Sequence, residues 1–123
     1  MEHVELHKLL ESYVMAPVEC DGFARLAHTA LFNAGVDHCV MIGRLLSRDS
    51  KKQSPIHFWI ELGSGQVIDF RARMWLGDDA DVPHGIFGKS DYPKWEYAGE
   101  LIDIPVLHPA VAALLSTAHP HRL

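Results

Sequence analysis

The chain has 123 residues, the length of one domain, and its 48% hydrophobic and 22% charged residues are ordinary globular usage that argues against disorder. A net charge of −5 and the lack of a basic stripe exclude nucleic acid and anionic membrane surfaces as expected partners, with Lys51 and Lys52 read as a solvated loop tip. No apolar run reaches transmembrane length, and Glu2 and Glu5 stand where a secretory signal would carry Lys or Arg. The expected location is therefore cytoplasmic, with export by a specialised secretion system left open.

From Val4 to Val14, apolar residues at Val4, Leu6, Leu9, Leu10, Tyr13 and Val14 recur on roughly one helical face. That helix ends at Ala16-Pro17, because a residue before proline is pushed out of the α region. A second helix is expected from near Cys20, with Phe23, Leu26, Ala27, Ala30, Leu31 and Ala34 on its apolar side and Gly35 as its left-handed stop. The run from His38 to Leu46 is too continuously apolar for a strand with one wet face and reads as a central strand. After a polar loop over residues 47–55, two strands, Ile56 to Leu62 and Gln66 to Arg71, flank the hairpin turn Gly63-Ser64-Gly65. Asp78 to Asp91, rich in Asp, Gly and Pro, is expected to be irregular. Trp95 to Ile104 supplies one or two strands, and Pro109 to Thr117 a short helix with proline in its first turn. Two helices followed by a mostly antiparallel sheet make a single α+β domain over residues 1–123.

Three residues carry the chemistry. Cys20 falls at the predicted first turn of the second helix, where unpaired N–H groups and the helix dipole favour a thiolate. Two cysteines are too few for a disulfide scaffold, so free thiols are expected. His57 opens a strand in which His57, Trp59 and Glu61 share one face and Phe58, Ile60 and Leu62 the other; the second set reads as core and the first as the lining of a concave surface. Pairing the hairpin about Ser64 brings Asp69 near His57, where a carboxylate can accept the imidazole N–H and stabilise the imidazolium. Singly, each has a bland reading: a small core thiol, a solvated strand-start histidine and a loop-capping aspartate. Their order and placement favour a triad.

Cys20-Asp21-Gly22-Phe23-Ala24-Arg25-Leu26, followed by Asn33-Ala34-Gly35-Val36 and the strand to Gly43, resembles the transglutaminase core, in which a nucleophile cysteine opens a helix that runs through a glycine into a strand. His57-Phe58-Trp59-Ile60-Glu61-Leu62 is similar to that family's histidine strand, and Val67-Ile68-Asp69-Phe70 to its aspartate strand. The resemblance implies a papain-like or transglutaminase-like minimal core with Cys20 as nucleophile, His57 as general base and acid, and Asp69 as the orienting carboxylate. The implied chemistry is acyl transfer from an amide of a protein or peptide substrate, as a glutamine deamidase or a peptidase, without a cofactor; bacterial papain-fold effector deamidases share the same chain order. Glu19-Cys20-Asp21-Gly22-Phe23 is also similar to the start of the NlpC/P60 cell-wall peptidases, a second reading, and a non-catalytic binding module on the same fold is a third. No Gln or Asn occurs between Met1 and Glu19, where a papain-type peptidase carries an oxyanion-hole glutamine. The donor is expected to be a backbone N–H at the helix start, or else Tyr13 or His28.

Trp59, Trp75 and Tyr13 are the residues expected to contact substrate, Trp59 and Trp75 as an aromatic wall beside the nucleophile. Nine histidines invite a metal reading through Cys20, His38, Cys39 and His57, but there is no Cys-x-x-Cys pair, and no metal is expected. His3 and His7 share a helical face close to the terminus and read as solvated; His119 and His121 fall in a tail expected to be disordered. Cys39 reads as an inert core thiol. The stretch from Asp78 to Asp91 is either a substrate-binding lid or a surface connection. Oligomeric state is not legible.

Overall fold

The computed structural model describes residues 2–117; His119 and His121 lie outside them. The elements run α1 (His3–Val14), α2 (Cys20–Asn33), β1 (His38–Ser47), β2 (His57–Leu62), β3 (Val67–Asp69), α3 (Ala72–Leu76), β4 (Gly85–Phe87), a single 3₁₀ turn (Lys89–Asp91), β5 (Trp95–Ile102) and α4 (Pro109–Thr117). The strands form one sheet in the order β4-β3-β2-β1-β5, every neighbouring pair antiparallel. The α+β class expected from the element order is the one observed. No helix among the described residues is long and apolar enough to cross a membrane.

The helices form where the apolar period and the end signals agree. Leu6 and Leu10, one turn apart, are the buried residues of α1, and Phe23, Ala24, Leu26, Ala27 and Leu31 make a wide buried face on α2. Gly35, at φ 71°, closes α2: its N–H donates to the Phe32 carbonyl at 3.1 Å and the Val36 N–H to that of Leu31 at 2.9 Å. This reversal satisfies two carbonyls the helix leaves open. Both helices pack on one face of the sheet, against Val40, Ile60 and Ile68.

The hairpin forms about Ser64 as the turn residues require, with Ile60 opposite Ile68 and Glu61 opposite Val67. Two elements were not foreseen. Asp78 to Asp91 is not wholly irregular, because Gly85, Ile86 and Phe87 add a fourth strand opposite Asp69, Ile68 and Val67. Two apolar residues after a glycine give too short a pattern to read as a strand. The expected strand to Arg71 stops at Asp69, and the chain turns into α3 instead, with the Asp69 carboxylate accepting the N–H groups of Arg71 (3.0 Å) and Ala72 (3.1 Å).

The second face of the sheet is also a core. Trp59, Val67 and Phe87 are buried there with Met41, Tyr92 and Tyr97 against them. The sheet curls so far over this face that its two edges meet: the Tyr97 ring on β5 lies 6.2 Å from that of Phe87 on β4. Gly43 and Gly99, paired in register, permit the curl; a Cβ on Gly99 would sit 2.6 Å from Cη2 of Trp59. The face expected to be an open concave wall is thus filled by aromatic side chains, and His57 sits at its end.

Candidate active site

Cys20 is the first residue of α2, His57 the first of β2 and Asp69 the last of β3. Asp69 pairs in register two residues beyond His57, so both side chains fall on the curled face. His57 Nε2 donates to Asp69 Oδ2 at 2.8 Å, with the side chains 0% and 1% exposed. The Tyr97 hydroxyl, reaching across from β5, donates to the same oxygen at 2.8 Å. The carboxylate therefore accepts four hydrogen bonds, two from backbone and two from side chains, and its position is fully determined.

With Nε2 committed to Asp69, Nδ1 is the imidazole nitrogen left for chemistry. It is buried without a hydrogen-bond partner, and Cys20 is near enough to the ring to act on its charge. Burial works against a charge on His57, but the charge and hydrogen bond of Asp69, followed by those of Cys20, outweigh it and push the imidazole up to about 9. The same surroundings act on Tyr97: burial first, then the Asp69 charge, drive its phenol far up, so it remains a donor.

Cys20 is 7% exposed. Glu19, the residue before it, makes no side-chain cap, so the first N–H groups of α2 are left without a side-chain acceptor and are available to an oxyanion. The other proposed donors lie elsewhere. His28 Nδ1 bonds His38 Nε2 at 2.8 Å, and Tyr13 lines a recess with Thr29, Asn33 and α4. A second recess of about 440 Å³ lies between residues 14–19, just ahead of Cys20 in the chain, and Phe70, Arg71 and Met74.

Of the three residues expected to touch substrate, Trp59 is buried, Tyr13 partly buried and Trp75 exposed. Trp59 is 2% exposed, its ring 4.8 Å from that of Tyr97 and its Nε1 donating to Glu61; it packs behind His57, 6.3 Å away, instead of walling a groove. Tyr13 packs against the helical core and lines the recess with Thr29 and Asn33. Trp75 is 41% exposed on α3 and is the one of the three that meets solvent freely. Cys39 is half-buried, not fully buried, and burial, then Glu61 and Asp37, push its thiol up. The connection from Asp78 to Asp91 is tied down by Arg73 to the Val82 carbonyl, by Lys94 to Asp81 and by the Tyr92 hydroxyl to the His84 carbonyl, which favours a fixed connection over a lid.

Two residues of the site went unread in the sequence, Tyr97 and Arg71. Tyr97 reaches Asp69 only because the sheet curls, and strand alternation does not report curl. Arg71 did leave a signal, a cation directly after the apolar run Val67-Ile68 and Phe70, and it is 7% exposed. Among the described residues no three His, Cys, Asp or Glu side chains converge as a metal cage. No family model, curated protein or solved structure matches the chain.

Proposed function

We propose that the protein is a cysteine-dependent enzyme acting on amide bonds, built on a minimal papain-like or transglutaminase-like core. The observation that carries this reading is the buried His57–Asp69 pair, whose second imidazole nitrogen is unpartnered and whose ring feels Cys20 at a helix start. Neither a packing role for the cysteine nor a solvated role for the histidine accounts for a fourfold-bonded carboxylate behind them.

His57 Nδ1 takes the Cys20 proton, and the thiolate attacks the amide carbonyl. N–H groups at the start of α2 hold the oxyanion. The imidazolium returns its proton to the nitrogen as the carbon–nitrogen bond breaks, leaving a thioester and ammonia or an amine. Water then adds under the same base and releases a carboxylate and the free thiol. We favour hydrolysis, with glutamine deamidation of a protein substrate ahead of peptide cleavage.

Mass spectrometry of candidate proteins after incubation tests both outcomes. A gain of about one dalton without new termini marks deamidation, and new termini mark a peptidase. The reading fails if Cys20 is alkylated by iodoacetamide at neutral pH no faster than Cys39 and if His57→Ala leaves both rates unchanged.

A further inference from the structure

We propose that Arg71 is the positioning residue of this site: its guanidinium ties the segment that leads into Cys20 to the segment that follows Asp69, and so keeps the thiol beside His57. This rests on the catalytic reading above.

Residues 15–19 between α1 and α2 belong to no helix or strand, so no ladder fixes where Cys20 begins. Arg71 supplies that constraint. Its Nε donates to the Val18 carbonyl at 2.8 Å, and its Nη2 to those of Ala16 at 3.0 Å and Tyr13 at 3.2 Å. Nη1 meets the carbonyl of Phe70 at 3.3 Å, while the Arg71 backbone N–H holds Asp69 Oδ1 at 3.0 Å. The guanidinium carbon lies 5.0 Å over the Phe23 ring, one turn into the helix that Cys20 opens. One side chain thereby joins the approach to the nucleophile, the nucleophile's helix and the residue beside the carboxylate. The planar fork matters, because four carbonyls require several donors on a rigid frame.

Stability alone does not account for such a residue. All the hydrogen-bond acceptors of the guanidinium are neutral carbonyls, which bring no opposite charge to offset the cost of burying the cation. Burial lowers Arg71, and the charges that oppose this belong to Asp69 and Cys20, the two ends of the triad.

The test compares wild type, His57→Ala, Arg71→Lys and Arg71→Met by three readings: melting temperature, the Cys20 to Cys39 alkylation ratio at neutral pH, and the NMR titration of the His57 imidazole. Lys keeps the charge without the fork, and Met keeps an apolar stem that folds without either. In both variants Cys20 labelling should slow roughly tenfold to a hundredfold while Cys39 is unchanged, in keeping with a nucleophile displaced by about 1 Å. The His57 titration should move down from about 9 as the thiol withdraws, with Asp69 still in place. A folded variant that keeps the wild-type ratio and the wild-type His57 titration overturns the proposal, whatever its melting temperature. The wild type gives one reading that needs no variant: the Arg71 Nε–H, bonded to Val18, should exchange slowly, and fast exchange would refute the clamp. If wild-type Cys20 is no faster than Cys39 and His57→Ala changes nothing, the catalytic reading itself falls, and the clamp's role in it falls too.

Discussion

Asp69→Asn replaces one oxygen with an amide nitrogen at the centre of the site and leaves the shape intact. Oδ1 keeps its two backbone donors, Arg71 and Ala72. The new NH₂ takes the place of Oδ2, which accepted from His57 Nε2 and from Tyr97. Tyr97 can turn its hydroxyl and accept. His57 has to give up the proton on Nε2 and accept as well, which sends that proton to Nδ1, the nitrogen beside Cys20. The neutral imidazole is then held in the tautomer that cannot take a proton from the thiol.

The magnitude follows from the charge. Raising His57 from 6.5 to about 9 favours its imidazolium by roughly 3 kcal/mol. Between those values the folded protein holds a proton that the unfolded chain has released. That stabilisation is complete below the unfolded value of about 6.5 and is lost as the pH rises through about 9, at about 1.4 kcal/mol per unit. Wild-type melting temperature should therefore fall over this window, and Asp69→Asn should flatten the fall, since burial is then opposed only by the smaller push from Cys20. Two assays suffice: ¹H–¹⁵N correlation of the His57 ring for tautomer and titration, and Cys20 alkylation by mass spectrometry with Cys39 as internal reference. Labelling of Cys20 at neutral pH should drop by roughly 10²-fold or more, the usual scale of a lost general base. A ring that still titrates near 9 in the variant, or a Cys20 rate that does not move, would refute the argument from Asp69.

Tyr97→Phe removes one donor from a buried carboxylate and should lower stability by roughly 1–3 kcal/mol in denaturant melts, while Cys20 labelling slows less than in Asp69→Asn because the His57 bond remains. Gly99→Ala should destabilise by about 1–3 kcal/mol or more, since the added methyl meets the Ile42 carbonyl and the edge of the Trp59 ring, and near-ultraviolet dichroism of that tryptophan should report the shift. His28 is lowered by burial and then by the neighbouring His38, so the unfolded chain takes up that proton first. Stability from this group is complete above about pH 6.5 and is lost as the pH falls; His28→Asn should reduce the drop in melting temperature between neutral and mildly acidic pH.

What the sequence made legible is what lies on one element or across one tight turn. The bounds of α1, α2 and α4 follow from a 3.6-residue period, a Pro or Gly at the ends and little else, and the glycine turn sets the β2–β3 register to the residue. Asp69 was placed near His57 by that register alone. The readings that failed depend on how the sheet closes. Alternation correctly put His57 and Trp59 on one face, but a face is wet or dry according to what folds over it, and here the covering ring comes from Tyr97, three strands from Asp69 in the sheet order. The paired glycines Gly43 and Gly99 are the local trace of that closure, yet each reads in isolation as a weakened strand. Curl also explains why the site is dry: the cover that removed Trp59 from solvent excludes water from the His57–Asp69 pair. In that low-dielectric setting the Asp69 carboxylate, together with Cys20, outweighs the burial penalty on an imidazolium. A flat sheet with the same three residues would hold the same geometry with a far weaker base.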